Sequence, residues 1–333
     1  MVPQQQPTTP DAPQQTADVT IDAPQPFDEW LRELIAEAKQ RGYAEEIVGP
    51  ALSGLEPLVR VVQNDRTQAE LTVGFERYFE SRVNTAVIRR GKEVARQYRT
   101  LFGRIERTYG VPRRIILAIW GLESRYGRNT GRTPVFQALA TLAWEPRRAD
   151  FFRGQLFDAL TMVAKGHADI DMMKGSWAGA MGQTQFMPSS YLAYAVDDDG
   201  DGHRDIWSSA PDVVASIANY LKGNGWTGDR TWGREVRVTA AVRAAIEKAA
   251  IPAREDGCFA MRAMTERKPL RDWARFGVRS TDRSALPRAA IDASLLDVGD
   301  RSFLVYDNYD ALLRYNCAQH YALSVAMLSE RLR

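Results

Sequence analysis

A chain of 333 residues, 44% apolar and 10% aromatic, can bury a large core in one elaborate domain or in two to three small ones. Its 44 Lys and Arg residues nearly balance 42 Asp and Glu residues, and a net charge of +2 argues against nucleic-acid binding. No window approaches the roughly 20 consecutive apolar residues of a membrane span. The start of the chain also lacks the basic and apolar parts of a secretory signal.

Residues 1–26 differ in composition from the remainder of the chain. They contain no Lys or Arg and are dominated by Pro, Gln and Thr, so they cannot bury enough apolar surface to become ordered. We interpret this segment as a linker, which is compatible with a signal or anchor having been removed before it.

Residues 27–110 have helical spacing and form a predicted helical domain. In FDEWLRELIAEAKQRG, apolar residues recur at intervals of three and four, and AVIRRGKEVARQYRTLFGRIERTYG repeats this over several turns up to Gly110. After Pro112, RRIILAIWGLES is apolar almost all round, which is typical of a helix buried on most sides. Further helices are predicted in TPVFQALATLAW, RRADFFRGQLFDALTMVAKG and SSAPDVVASIANYLKGNG, and residues 111–226 form the predicted core domain.

A change in the pattern of apolar and polar residues after Trp226 predicts a small β-containing subdomain over 227–308. REVRVTA and SFLVYDNY alternate apolar and polar residues as strands do. Residues 309–333 return to helical spacing and are expected to pack on the main body. Cys258 and Cys317 could form one disulfide or remain two buried thiols, and the sequence leaves both alternatives open.

A carboxylate, Glu123, follows the apolar run of the buried helix. Its neighbours Trp120 and Leu122 should be packed, so desolvation is expected to raise the pKa of Glu123. A carboxyl that keeps its proton near neutral pH can act as the general acid in glycoside cleavage. The alternative is an ion pair with an arginine such as Arg125 or Arg128 that only ends the helix.

The segment GSWAGAMGQTQFMPSSYLAYAVD, residues 175–197, combines small residues with neutral polar ones. Small residues allow the close approach of a sugar ring or another backbone, while Ser176 and Gln185 can hydrogen-bond hydroxyl and amide groups. We expect a helix to stop at Pro188. Tight packing between helices would explain the small residues equally well.

The sequence DDDGDGHRDIWS, residues 197–208, begins like an EF-hand calcium loop. Asp197, Asp199 and Asp201 occupy positions 1, 3 and 5, Gly202 is at position 6, and His203 would offer its backbone carbonyl at position 7. Position 12 is Ser208 and not the bidentate Glu of a sensor loop. Asp212 is the expected replacement ligand, with Asp205 as a second candidate. A lone modified loop predicts a structural Ca²⁺ and argues against a calcium sensor; a solvated acidic loop is the alternative.

Three motifs in this order and spacing, ESRYG, GAMGQTQFMPSSY and DGDGHRDIW, resemble the lytic murein transglycosylase B family. The resemblance runs from about Phe27 to the C-terminus. It implies a mainly α (α+β) fold, with a lysozyme-like core, an added helical domain and a small β-subdomain. It also implies Glu123 as the single catalytic acid, and Ser176 and Gln185 as residues that hold the sugar. The tyrosines implied as substrate-binding residues are Tyr78, Tyr220, Tyr309 and Tyr315.

The reaction that the resemblance implies is a non-hydrolytic cut of the MurNAc-GlcNAc β-1,4 bond of peptidoglycan. Glu123 would protonate the glycosidic oxygen and then accept the proton of the muramic acid C6 hydroxyl, giving a 1,6-anhydro end. A hydrolytic muramidase would need a second carboxylate. Glu145 and Asp150 are the nearby candidates, but we interpret both as surface residues paired with Arg147 and Arg148. A catalytically inactive peptidoglycan-binding scaffold is the other alternative.

Location and partners follow from the same resemblance. The periplasm is the expected compartment, and peptidoglycan glycan strands are the expected ligand. Proteins of cell-wall synthesis or division are the candidate protein partners. We expect a monomer, with no organic cofactor.

Overall fold

The computed structural model describes residues 25–67, 73–228 and 230–333, so most of the predicted linker 1–26 lies outside the described residues. Helices dominate the described chain. In chain order they are α1 Phe27–Gln40, α2 Glu45–Leu52, α3 Val59–Thr67, α4 Phe75–Arg82, α5 Thr85–Gln97, α6 Arg99–Tyr109, α7 Arg113–Ser124, α8 Val135–Trp144, α9 Ala149–Ala164, α10 Pro188–Tyr194, α11 Ala210–Gly223, α12 Ala240–Lys248, α13 Phe259–Arg262, α14 Leu270–Phe276, α15 Asp307–Tyr315 and α16 Gln319–Arg331.

The strands form one small sheet and one two-stranded pair. They are β1 Thr133–Pro134, β2 Lys174–Gly175, β3 Gly233–Arg237, β4 Lys268–Pro269, β5 Arg279–Ser280, β6 Asp292–Val298 and β7 Arg301–Val305. Strands β1 and β2 pair with each other, and the sheet has the order β4-β6-β7-β3-β5 with antiparallel neighbours. The mainly α, α+β fold predicted from the sequence is confirmed.

The chain divides into two compact units, each built from separate stretches of sequence. Unit I contains the described residues between 25 and 73 together with Ile119–Tyr220, and unit II contains Gly74–Ala118 together with Leu221–Arg333. The division predicted from the sequence was linear, with boundaries at 26, 110, 226 and 308, and it stays a prediction.

The predicted helices of the first third of the chain are present. Helix α1 covers the first predicted segment, and the second predicted segment forms α5 and α6, which are separated at Tyr98 by a non-helical backbone conformation. Gly110 ends α6 in the left-handed conformation (φ 71°), which glycine adopts without the steric cost of a Cβ.

Helix α7 is buried on nearly every side. It starts directly after Pro112, whose fixed φ suits a helix start, and every residue from Ile115 to Ile119 is fully buried. Because this helix has almost no face exposed to water, its one acidic residue, Glu123, is buried as well.

The β-sheet of unit II packs against a hydrophobic core. Leu295 of β6 pairs with Leu304 of β7, and both pack with Trp273 of α14 and Val236 of β3. Burial of these side chains stabilises the sheet by roughly 1.5–3 kcal/mol each. The strand predicted in REVRVTA is present as β3. The strand predicted in SFLVYDNY ends at Val305, where Tyr306 leads into α15.

The C-terminal region is helical as predicted, but it forms two helices, α15 and α16, separated at residues 316–318. Cys258 and Cys317 form a disulfide within unit II, with a Cα–Cα distance of 6.3 Å. The structure therefore decides between the two cysteine alternatives. Within the described residues, no helix is both long and apolar enough to cross a bilayer.

Candidate active site

Glu123 lies in the last turn of α7, and its side chain is only 3% exposed. The helix ends abruptly after it, because Arg125, Tyr126 and Gly127 all have positive φ angles (51°, 59° and 82°). Left-handed backbone is strained for residues with a side chain, and such strain clusters at functional sites. The turn therefore places one carboxyl at a well-defined point in the interior of unit I.

Two local features hold this turn. The Ser124 hydroxyl accepts a hydrogen bond from the backbone N–H of Gly127 (3.1 Å), and the N–H of Asn129 donates to the Ser124 carbonyl (2.8 Å). Tyr126 folds back on the helix, with its ring edge-on to Trp120 at 5.9 Å. A Cβ at Gly121 would lie 2.7 Å from the Tyr126 hydroxyl oxygen, so only glycine leaves room for this ring.

The segment between β2 and α10 forms a series of tight turns. Met181 forms isolated antiparallel β-bridges with both Gly175 and Phe186. The backbone has positive φ angles at Gly179, Gly182 and Gln185. The predicted helix stop at Pro188 is wrong, because α10 begins at this residue. Proline fixes its own φ near the helical value and has no N–H to leave unpaired, which suits a first helical position.

Ser176 and Gln185 are both buried in this segment. The Ser176 hydroxyl accepts hydrogen bonds from the N–H groups of Ala178 (3.3 Å) and Ala180 (3.1 Å). The Gln185 amide donates to the carbonyls of Thr130 (3.1 Å) and Gly182 (2.9 Å). Both side chains thus hold the segment in shape, and their contact with a sugar stays a prediction.

The four tyrosines predicted to bind substrate are all buried. In unit I, Tyr220 packs between the rings of Tyr194 (4.7 Å) and Phe186 (5.5 Å). Tyr78, Tyr309 and Tyr315 belong to unit II.

Each tyrosine of unit II has its own surroundings. The Tyr78 ring lies 5.7 Å from that of His320, and Tyr315 stacks on Tyr321 at 6.4 Å. Tyr309 is fully buried and hydrogen-bonds Gln319 (2.7 Å); burial raises the pKa of Tyr309 well above its usual value. A role of these residues in substrate binding stays a prediction.

Glu145, a candidate second carboxylate, is buried, so its interpretation as a surface residue is wrong. Its carboxylate accepts hydrogen bonds from the Arg66 guanidinium (3.1 and 3.2 Å) and from the Arg147 backbone N–H (2.9 Å). The guanidinium groups of Arg147 and Arg148 instead pair with Asp65, which is also buried. Glu145 is therefore held by an ion pair with Arg66 and by a backbone hydrogen bond.

Three carboxylates converge between the acidic loop, residues 197–208, and the first turn of α11. Oxygen atoms of Asp197, Asp199 and Asp212 lie within 4.8 Å of one another. The Asp212 carboxylate also accepts the backbone N–H groups of Asp198 (2.8 Å) and Asp205 (2.7 Å). Burial raises the pKa of Asp212, and the negative charge of Asp199 adds to this rise. Carboxylate oxygens so close together repel one another unless a cation lies between them. A set of oxygen ligands suits a hard divalent ion such as Ca²⁺.

Asp201 and His203, two other predicted ligands, lie beside this group. The Asp201 carboxylate accepts a hydrogen bond from the His203 backbone N–H (2.8 Å), and both residues are exposed. Asp205 directs its carboxylate to the N–H groups of Trp207 (2.8 Å) and Ser208 (2.9 Å). Metal ligation by Asp201 and His203 stays a prediction.

The amino-acid sequence of this chain is similar to those of known proteins. The model of the Transglycosylase SLT domain matches residues 26–330. The chain is 36% identical over 265 residues to the membrane-bound lytic murein transglycosylase B of Escherichia coli strain K12, covering 76% of this chain and 66% of that protein. The match thus spans just under two thirds of the relative's length.

Solved structures of related proteins superpose on nearly the whole chain. SltB3 from Pseudomonas aeruginosa, in complex with NAG-anhNAM-pentapeptide, matches with a TM-score of 0.82 and 37% identity, covering 92% of this chain and 80% of that one. The Escherichia coli lytic transglycosylase Slt35, in complex with calcium, matches with a TM-score of 0.75 and 30% identity, covering 93% of each chain.

Proposed function

This chain belongs to the Transglycosylase SLT domain family, and from that premise we propose that it is a lytic transglycosylase that cleaves the MurNAc-GlcNAc β-1,4 bond of peptidoglycan. The observation that carries the proposal is the burial of Glu123 at the end of α7, in a protein whose relatives are lytic murein transglycosylases. Removal from water favours the protonated form of a carboxyl, which is the form a general acid needs.

In this proposal Glu123 acts twice. It first donates its proton to the glycosidic oxygen, while the 2-acetamido group of the substrate stabilises the positive charge at C1. As a carboxylate, Glu123 then accepts the proton of the muramic acid C6 hydroxyl while that oxygen attacks C1. No water is consumed, and the product ends in 1,6-anhydro-MurNAc.

The ion pair of Glu145 supports one acting carboxyl. Glu145 is engaged by Arg66, so it is not available as the nucleophile or base that a hydrolytic muramidase requires. The turns around Ser176 and Gln185 provide neutral polar groups suited to sugar hydroxyl and acetamido groups. The alternative of a catalytically inactive scaffold gives no reason to bury Glu123 directly before a strained turn.

The test is mass spectrometry of the products released from purified murein sacculi. We expect muropeptides lighter by one water than the hydrolysis products, because the C6 oxygen replaces water at C1. Reducing ends would show that water reaches C1, in favour of a muramidase. Binding to sacculi without any release would favour the scaffold.

We further propose that the acidic loop binds one structural Ca²⁺. Asp197, Asp199 and Asp212 would hold the ion, which would supply positive charge that fixes the loop ahead of α11. The calcium complex of Slt35, with 93% of each chain covered, supports this proposal.

Calcium is expected to stabilise the protein against heat. At a concentration 100 times its Kd, an ion that binds only the folded state adds about 2.7 kcal/mol. For a unit of this size, that corresponds to a rise in Tm of roughly 5 °C or more. Differential scanning calorimetry with Ca²⁺ and with EDTA measures the effect.

The matched variants for this prediction are Asp199→Asn and Asp169→Asn. Asp199 is exposed but belongs to the carboxylate group, so its amide should remove most of the shift. Asp169 is an exposed aspartate outside that group, and its variant should keep the full shift. An equal response of the two variants would contradict the proposed site.

We propose the periplasm as the location, since peptidoglycan is the proposed substrate and the E. coli relative is a membrane-bound murein enzyme by name. The disulfide supports an oxidising compartment. Glycan strands are the proposed ligand. A monomeric state and contacts with cell-wall synthesis or division proteins stay predictions.

A further inference from the structure

The side-chain amide of Gln183 lies between two parts of unit I that are distant in sequence. Its Oε1 accepts a hydrogen bond from the indole Nε1–H of Trp120 (2.8 Å), and its Nε2 donates to the backbone carbonyl of Trp207 (2.8 Å). Gln183 is only 8% exposed. The mechanism above gives this amide no chemical task.

On one side, the amide contacts the helix that carries Glu123. Trp120 precedes Glu123 by three residues, about one helical turn, and is itself buried. The turn after Glu123 closes on the same amide: a Cβ at Gly127 would lie 2.4 Å from Gln183 Oε1. Gln183 therefore lies against α7 at Trp120, before the carboxyl, and against the turn at Gly127, after it.

On the other side, the amide contacts the acidic loop. The backbone N–H of Gln183 donates to the Ile206 carbonyl (2.8 Å), in addition to the bond from Nε2 to Trp207. The N–H of Trp207 donates to the Asp205 carboxylate (2.8 Å), and the N–H of Asp205 donates to the Asp212 carboxylate (2.7 Å). A series of hydrogen bonds thus connects the Asp212 carboxylate, through Asp205 and Trp207, to Gln183.

We propose that Gln183 is a positioning residue that transmits the order of the acidic loop to the helix end bearing Glu123. The inference rests on the proposed function for its effect on the reaction rate, whereas the physical connection rests on contacts in unit I alone. A network of hydrogen bonds that link side chains and backbone in series restricts its members to one arrangement. If the acidic loop became disordered, the Trp120 side chain would be held less firmly, and the Glu123 carboxyl would no longer keep one position.

The experiment is a double-mutant cycle between Gln183→Met and Asp205→Ala. Methionine has a similar length but cannot form either amide hydrogen bond, and alanine at 205 removes the acceptor of the Trp207 N–H. Each single variant should lower kcat by about 10- to 100-fold with little change in KM, because a displacement near 1 Å can cost about 100-fold. In the Gln183→Met background, Asp205→Ala should have little further effect.

The second readout is the indole ¹H–¹⁵N resonance of Trp120, identified by its disappearance in Trp120→Phe. Asp205→Ala should shift this resonance in the wild-type background and leave it unmoved in Gln183→Met. The matched control is Gln155→Met, since Gln155 is an equally buried glutamine of unit I that bonds the Ser189 N–H instead. In that background, Asp205→Ala should retain its full effect on kcat and on the resonance.

Additive effects on kcat, or a Trp120 resonance that responds to Asp205→Ala without Gln183, would overturn the proposal. If Gln183→Met does not fold, Gln183→Glu replaces it, because a carboxylate still accepts from Trp120 but cannot donate to Trp207. Should the wild type release no muropeptides, the proposed function fails. The Trp120 indole resonance would then be the only test of the connection between the acidic loop and α7.

Discussion

Replacing Glu123 by Gln is expected to lower the rate of muropeptide release by about 10³-fold or more, while binding to sacculi is retained. General acid–base catalysis by a positioned side chain contributes about 10²–10⁴-fold, and one carboxyl performs both proton transfers in the proposed reaction. Glutamine has nearly the same shape as glutamate but cannot donate and then accept this proton. Single-turnover release from sacculi and a co-sedimentation assay measure the two effects.

The matched control is Glu145→Gln, which makes the same chemical change at an equally buried glutamate of unit I. Loss of its ion pair with Arg66 should lower stability, because a neutral amide no longer balances the charge of this half-buried guanidinium. The rate of the folded fraction should stay close to that of the wild type. A loss of cleavage in Glu145→Gln as large as in Glu123→Gln would contradict the single-carboxyl mechanism.

Removal of the disulfide is expected to cost about 4 kcal/mol of unfolding free energy. Cys258 and Cys317 are 59 residues apart in sequence, and closing a loop of that length in the unfolded chain removes about this much free energy in the chain-entropy model. The bond joins the N-terminal end of α13 to the segment between α15 and α16. Urea unfolding of the double variant Cys258→Ser/Cys317→Ser measures the loss.

Reduction provides the control for this prediction. The wild type treated with dithiothreitol should unfold at the urea concentration of the double variant, and the double variant should not respond to the reductant. Coincident unfolding curves for the oxidised wild type and the double variant would show that the bond does not stabilise the fold.

Helical segments and their ends could be predicted because the necessary signals are local. The three- and four-residue spacing in α1 and the glycine at the end of α6 lie within a few residues of the structure that they determine. Local signals also have limits. Strand β6, with a buried run in DASLLDV, is not predicted from the sequence, since a short apolar run does not reveal its pairing partners. Proline also follows many helix ends, so the local pattern at Pro188 does not distinguish a helix stop from the helix start that the structure has there.

The amino-acid order is enough to predict that Glu123 ends a buried helix and that Asp197 and Asp199 have a spacing suited to a cation, because both features depend on residues close together in the chain. Contacts between groups that are distant in the chain depend on the folded structure. Arg66 neutralises Glu145 across 79 residues, and Gln183 reaches Trp120 across 63. Such pairs form because packing brings elements together and buried polar groups must then find partners, which no local pattern specifies.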